Sequence, residues 1–398
     1  MIEILGLVYF IFLALYGAML VFFARGWQLG TSLGCSTRDK IPEGREEDAR
    51  ATGQLQPSVT VLVACRNETH RMTPLLKALV EQEVAFDWEL LWIDDFSDDD
   101  SVAMVKSFLA NHPQLDYRLL LRNGTDPFPP HKKGAIAWGV EQAKGRWVLV
   151  TDADCIPGPR WIATMIRPFL YREGLAFVAG PVRLWPAQNR WEKSQALEFM
   201  SLNAIAASTL ALGRPVISNG GNMAFDRQVF LDCSPYDNNW KHPGGDDDML
   251  MHRIHQHCGP EGLVFCRDQA GMVETRPVGP WRDFLAQRIR WISKQGAYPD
   301  PAVSRILKTV WLMHALLFSS IVVGIASGNL TLLGVATATW FFKAGMDGLY
   351  TRLVARFYGA PAGWGLLFWT QLWYLPYTLI AGLAGYRGKF KWKGRQYG

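Results

Sequence analysis

Four short apolar runs alternate with helical patterns between Ser58 and Asp152, and this alternation constrains the fold more than any other feature of the chain. "SVTVLVAC" (58–65), "WELLWIDD" (88–95), "YRLLL" (117–121) and "RWVLVTD" (146–152) read as strands. Between them, "TPLLKALVEQ" reads as a helix with Thr73 as N-cap and Pro74 at the first helical position. A second helix is expected near Ser101–Asn111 and a third from Lys133 to Ala143. Apolar strands joined by helices predict an α/β fold whose mostly parallel sheet is covered on both faces. Ligands of such sheets sit outside the carboxyl ends of the strands. That is where the polar residues fall: "ACRNE" after the first run, "IDDFSDDDS" after the second and "TDADC" after the fourth.

The same turns exclude other chemistries. A dinucleotide site needs a G-x-G-x-x-G turn after the first strand, and the chain has "CRNETH" there. Cys35, Cys65, Cys155, Cys233, Cys258 and Cys266 form no CxxC pair, which favours free thiols in a reducing compartment over a disulfide framework. Lys and Arg exceed Asp and Glu by only 41 to 36, so no nucleic-acid partner is expected. His252, His255, His257 and Cys258 are irregularly spaced on one helix that turns them apart, a poor zinc set. No internal repeat, low-complexity tract or Ser-His-Asp arrangement stands out.

Both ends of the chain look membrane-embedded. Ile4–Ala24 carries no charge, and at about 1.5 Å rise per residue it spans roughly the 30 Å hydrocarbon core. Thr309–Phe342 is also uncharged and is divided by "SGN" at 327–329 into a helical hairpin, and Phe357–Gly385 is apolar but interrupted by Pro361 and Pro376. Arg25, Arg352, Arg356 and the tail residues Arg387, Lys389, Lys391, Lys393 and Arg395 all favour the cytoplasmic side. Not every apolar stretch can then cross fully, and the number of C-terminal spans stays open. The expected organisation is a transmembrane helix at 1–25, a linker at 26–56, a catalytic domain at 57–300, transmembrane or interfacial helices at 301–386 and a basic cytoplasmic tail at 387–398. This predicts a multi-pass protein of a bacterial inner membrane with its catalytic domain in the cytoplasm.

Asp152 and Asp154, with Asp95 nearby, bring carboxylates to one crevice, where they repel each other unless a cation lies between them. Mg²⁺ or Mn²⁺ binds one or two carboxylates together with diphosphate oxygens, and stabilises the charge on a departing diphosphate. A lone D-x-D is usually a solvated turn. Its surroundings decide here.

The motifs "VLVACRNE", "LLWIDDFSDDDS", "KKGAIAWGVEQAKGRWVLVTDADC", "GGNMAF", "GGDDDML" and "QRIRW", in this order over about residues 58 to 295, resemble the family 2 glycosyltransferases of GT-A fold. The resemblance implies a Rossmann-like nucleotide-diphospho-sugar transferase domain. Glu68 and Asp95 match positions that hold the donor's ribose and base, Asp152 and Asp154 match the metal and diphosphate site, and Lys133 matches a basic position suited to the diphosphate. Asp247 matches the general base, with Asp246 one position away in a run of three aspartates that leaves the register open. Gln287, Arg290 and Trp291 match Q-x-x-R-W, whose Trp stacks on acceptor sugar and whose Arg contacts the donor diphosphate. An aromatic face and an Arg fork suit those tasks, although Trp291 also fits an interfacial anchor. Gly221 and Asn222, in "SNGGNMAF", are expected on the acceptor side or in a tight turn. Phe96 departs from the family, which commonly has Gly there, and should constrain its loop.

These expectations describe a metal-dependent, inverting glycosyltransferase that moves a sugar from a nucleotide-sugar donor to a lipid or lipid-linked glycan acceptor at the membrane. Two alternatives stand beside it: a processive synthase of the cellulose, hyaluronan or chitin type, for which the helices look too few to build a pore, and a silent nucleotide-binding scaffold. A nucleotide-release assay separates the last from the others.

Overall fold

The computed structural model describes residues 2–30, 58–124, 126–237, 239–242, 244–294, 301–386, 390–392 and 395–397. From residue 31 onward the expected linker lies outside these, as do Arg387, Lys389 and Lys393 of the tail. The chain forms two compact units, Gln28–Trp185 with Ile205–Arg276, and Met1–Trp27 with Pro186–Ala204 and Pro277–Gly398. The stretch expected as one catalytic domain, 57–300, is thus divided between them.

The first unit is a mixed α/β fold. Strands β1 (Val59–Cys65), β2 (Trp88–Asp94), β3 (Tyr117–Leu121) and β4 (Trp147–Asp152) pair in parallel, in the order β3-β2-β1-β4. After β5 (Ile156–Pro157), β6 (Phe177–Ala179) and β7 (Val182–Leu184), β8 (Met223–Asp226) runs antiparallel to both β4 and β6, and β9 (Leu263–Phe265) closes the sheet beside β6. A small second sheet joins β5, β10 (Val273–Thr275) and β7. Val61, Leu62 and Val63 of β1 are wholly buried, as a strand covered on both faces must be. Each such side chain contributes about 1.5–3 kcal/mol through burial. The helices Thr73–Val80, Ser101–Ala110 and Lys132–Gln142 connect the parallel strands. Thr73 does not cap the first of them. Met72 holds the N-cap position with no side-chain bond, while Thr73 is already helical and turns its hydroxyl to Met104 Sδ at 3.5 Å. Of the six cysteines, the five described ones are free.

The second unit consists of long helices: Ile2–Leu29, residues 190–204 of Arg190–Ala211, Trp281–Ile292, Pro301–Ser327, Leu330–Tyr358 and Trp364–Tyr386. Strands β11 (Phe390–Trp392) and β12 (Arg395–Tyr397) follow as an antiparallel pair. Leu5–Leu29 and Val303–Ser327 are long and apolar enough to cross a membrane, by length and composition. Gly328, at φ 63°, ends one helix, and the Asn329 side chain caps the next by accepting from Leu332 N at 3.0 Å. That next helix runs through Lys343 and Asp347 to Tyr358, well past the uncharged stretch seen in the sequence. Pro376 lies inside the helix Trp364–Tyr386 rather than breaking it.

Candidate active site

The strand register brings the predicted acidic turns side by side. Cys65 of β1 pairs with Asp94 of β2, and Ala64 pairs with Asp152 of β4, so three polar loops leave one sheet edge together. In the first, Glu68 is buried and its backbone N–H donates to Ser101 Oγ at 2.9 Å. In the second, the buried Asp95 carboxylate meets the Arg122 guanidinium at 2.7 Å. Phe96 takes a left-handed φ of 60°, a conformation that favours the glycine common in the family, and Arg122 lies over its ring at 5.4 Å. Arg66 holds that turn by donating to the carbonyls of Asp95 and Phe96. Burial works against a charge on Asp99, but hydrogen bonds from Ser101 and Thr69 hold its carboxyl down at about 2.

Beside them, ligand atoms of Asp152, Asp154 and Cys155 lie within 4.8 Å of one another. Burial pushes the Cys155 thiol well above its usual range, and Asp154 and Asp152 push it further, so the two carboxylates are the members of this set that could hold a hard cation. A divalent cation of the Mg²⁺ or Mn²⁺ type fits that donor set. Gly221 presses close: a Cβ there would lie 3.2 Å from Cys155 Sγ and 3.5 Å from Asp152 Oδ2. The Thr151 hydroxyl anchors it by donating to the Gly221 carbonyl at 2.8 Å. Gly221 therefore stands against the D-x-D turn, not away from it.

A cation of the chain itself reaches this turn. Lys132 Nζ is 2.6 Å from Asp152 Oδ1 and 2.7 Å from Asp246 Oδ2. Burial disfavours its charge, yet Asp152 and Asp246 together raise its pKa, so the ammonium stays charged. Lys133, the lysine expected here from the sequence, points elsewhere. It is 0% exposed, and its ammonium donates to the Asn239 carbonyl at 2.7 Å. Successive helical residues point about 100° apart, so the two lysines reach different partners although the helix is buried nearly all round.

The three aspartates of "GGDDDML" separate by role. Asp246 faces Lys132, with its backbone carbonyl fixed by the Tyr236 hydroxyl at 2.8 Å. Asp247 is the N-cap of the helix Asp248–Cys258; it accepts from Asp248 N at 2.8 Å and from Gly220 N at 3.1 Å. Asp248 is buried and accepts from Ser218 N at 2.7 Å. Asn222 does not line the crevice: it is 0% exposed, its amide nitrogen donates to the carbonyls of Pro181 and Gly271, and its oxygen accepts from Trp161 Nε1. Its amide is engaged by the fold and shielded from a ligand. Among the described residues, the histidines of the helix Asp248–Cys258 form no metal-holding group.

Gln287, Arg290 and Trp291 belong to the helical unit, on the helix Trp281–Ile292. The residue between them, Arg288, is buried and pairs with Glu198 Oε2, while Tyr377 donates its hydroxyl to Glu198 Oε1. The Arg288 guanidinium also covers the Trp291 ring at 4.2 Å and binds Gln287 Oε1. Sequence reasoning passed over Arg288 because its partners are distant in the chain.

The family described as Glycosyl transferase family 2 matches residues 60–232, and Glycosyl transferase family group 2 matches residues 147–384. A dolichyl-phosphate beta-glucosyltransferase, ALG5C, of Trichomonas vaginalis is 30% identical over 102 residues, 24% of this chain and 28% of its own. A dolichyl-phosphate beta-glucosyltransferase of Dictyostelium discoideum is 28% identical over 104 residues, 24% of this chain and 30% of its own. These matches thus span under a third of either relative. The solved structure of the mannosyltransferase PcManGT from Pyrobaculum calidifontis, in complex with GDP-Man and Mn2+, superposes with a TM-score of 0.58 over 96% of this chain and 99% of that one, at 19% identity. The shared fold is the GT-A arrangement that the motifs resemble.

Proposed function

The chain belongs to glycosyl transferase family group 2, and from that premise we propose that it moves a sugar from a nucleotide-sugar donor to a membrane-associated lipid or lipid-linked glycan, with inversion at the anomeric carbon. The observation that carries this reading is the carboxylate pair Asp152 and Asp154 at the sheet edge, beside Lys132 and the Asp246–Asp247 turn. A polyprenyl-type lipid phosphate is the acceptor class favoured by the dolichyl-phosphate relatives, and a nucleoside-diphosphate sugar with a divalent ion is the donor class favoured by the PcManGT complex.

Asp152 and Asp154 would hold Mg²⁺ or Mn²⁺, which when bound supplies charge stabilisation to the departing diphosphate. Glu68 and Asp95, on the neighbouring loops, would orient the nucleoside. Lys132 adds a positive charge beside the diphosphate side of the crevice. Inversion requires the acceptor hydroxyl or phosphate to attack from the opposite face, and a hydroxyl must then lose its proton to a carboxylate there. Asp246 is tied to Lys132 on the leaving-group side, which leaves Asp247 as the base. Gln287, Arg290 and Trp291 keep, in this proposal, the acceptor and diphosphate roles that the Q-x-x-R-W resemblance implies. Membrane anchorage rests on the apolar helices Leu5–Leu29 and Val303–Ser327.

The test is nucleotide release by the full chain in detergent, across UDP- and GDP-sugars, with and without dolichyl phosphate. Release that depends on donor, lipid and divalent ion, lost in EDTA and restored by Mn²⁺ or Mg²⁺, is expected. Full activity after dialysis against EDTA rejects the metal assignment, and no release with any donor rejects the enzyme.

A further inference from the structure

Asp152 carries a cation of the chain's own. Lys132 Nζ sits 2.6 Å from Asp152 Oδ1, 2.7 Å from Asp246 Oδ2 and 3.4 Å from the Gly220 carbonyl oxygen. Gly220 closes over it so tightly that a Cβ there would lie 2.9 Å from the ammonium and 2.7 Å from Asp246 Oδ2. Asp154 meets the exposed Arg71 at 3.7 Å. Two oxygens of the proposed metal pair therefore differ. One is held by a half-enclosed ammonium, the other by a surface guanidinium that water screens.

We infer that Lys132 is a tethered counter-cation that competes with the divalent ion for Asp152, so that metal binds weakly until a donor diphosphate gives the ammonium another partner. This rests on the reading of Asp152 and Asp154 as the metal site. An ammonium at hydrogen-bond distance neutralises a carboxylate and repels an arriving divalent ion, while its three donors fit phosphate oxygens as well as carboxylate ones. When diphosphate oxygens draw Lys132 off Asp152, the metal gains that oxygen. Metal and donor then strengthen each other's binding, and by linkage each does so by the same factor. The device keeps two like-charged carboxylates tolerable at the sheet edge without a bound ion.

The experiment is Mn²⁺ binding to the full-length protein in detergent, with no nucleotide, read from the free-ion electron paramagnetic resonance signal. Lys132→Met is expected to bind Mn²⁺ roughly tenfold or more tightly than wild type, and Lys132→Gln should do the same if the Met variant folds poorly. Lys132→Arg, which keeps the charge, should stay weak. Adding UDP or GDP should tighten Mn²⁺ binding in wild type by a larger factor than in Lys132→Met. General damage to the fold weakens metal binding, so a gain in affinity is not its signature. Unchanged or weaker binding in both neutral variants overturns the counter-cation. Asp152→Asn separates the two readings: if it binds Mn²⁺ as wild type does, the metal site itself is misassigned. If it loses binding while the Lys132 variants change nothing, only the counter-cation falls.

Discussion

At the scale of single residues, the run Asp246–Asp248 decides how the proposed chemistry divides. Asp248 is buried against Ser218, Asp246 is paired with Lys132, and Asp247 stands at the helix start with Gly220 N–H on one oxygen. Asp247→Asn keeps the shape and one of the two backbone hydrogen bonds, so donor and metal binding should stay near wild type while transfer to a hydroxyl acceptor falls by about 10²- to 10⁴-fold, the usual worth of a positioned base; transfer to a lipid phosphate, which attacks as an anion, should be much less affected. Asp246→Asn should instead weaken metal binding, because it leaves Asp152 as the carboxylate partner of Lys132. If stopped-flow and binding measurements show the reverse pattern, the base is Asp246. Residues of this kind were only partly legible in the sequence. The spacing of acidic turns after apolar strands pointed to Asp95, Asp152 and Asp154, since strand ends in a parallel sheet converge. It did not separate Lys132 from Lys133, because neighbouring lysines differ only in the helix face they occupy. Nor did it show that Asn222 is consumed by Pro181, Gly271 and Trp161, three partners set by tertiary packing.

At the scale of elements, the helix Lys132–Gln142 delivers Lys132, and its first turn depends on one imidazole. His131 is the N-cap: its ring Nδ1 accepts from Gly134 N at 3.3 Å, while Nε2 lies 3.2 Å from the Trp240 carbonyl. Only the neutral ring can accept at one nitrogen and donate at the other. Burial, above all, pushes its pKa down to about 4 against the bonding to Trp240, and Lys133 adds repulsion. A group whose folded pKa is depressed below the usual 6.5 must stay neutral to remain in place. Its stabilising effect is therefore complete above about pH 6.5 and drains away as pH falls towards 4. Thermal unfolding followed from pH 7 to 4 should show this loss, on the order of 2 kcal/mol. His131→Asn, which caps without titrating, should flatten that limb; an unaltered profile in the variant assigns the acid sensitivity elsewhere. A second element turns on Arg288, which ties the helix Trp281–Ile292 to Glu198 and Tyr377 and covers Trp291. Arg288→Met leaves Glu198 buried without its counter-charge and should destabilise by about 3–5 kcal/mol in chemical denaturation, whereas Arg290→Met should change activity more than stability. Comparable losses of stability in both would deny Arg288 its special place. The four parallel strands were legible because both their faces are apolar. The Arg288 clamp was not, since Glu198 and Tyr377 lie far away in sequence and only packing joins them.

At the scale of the whole molecule, the helical unit raises the question of what holds long apolar helices in one arrangement, because in the proposed membrane setting lipid tails are as apolar as leucine. Polar groups buried among them supply an answer. Tyr16 of the helix Ile2–Leu29 donates its hydroxyl to Asp347 Oδ1 at 2.5 Å, Lys343 Nζ meets Asp347 Oδ2 at 2.6 Å, and Gln371 of the helix Trp364–Tyr386 donates to Asp347 at 2.9 Å while accepting from Lys343 at 3.0 Å. Three helices, one of them from the far N-terminal end of the chain, thus converge on one neutral ion pair. Lys343 is 1% exposed and lies over the rings of Tyr16 and Tyr374 at 5.5 and 5.0 Å. The sequence marked Lys343 only as the end of an uncharged stretch; that it closes on Asp347 follows from the helix continuing, which puts positions four apart on one face. Charges in such surroundings are expensive singly and tolerable in pairs. Lys343→Met strands the Asp347 carboxylate and Asp347→Leu strands the ammonium, so each should lower the unfolding midpoint of the detergent-purified chain by the equivalent of about 3–5 kcal/mol. The double variant removes both charges and should recover most of that loss, giving a coupling energy well above the few tenths typical of independent sites. Additive losses in the double variant would mean that the pair acts through neutral contacts alone, and that the arrangement of these helices is fixed by their apolar packing around Tyr9, Leu317, Ala336 and Leu375.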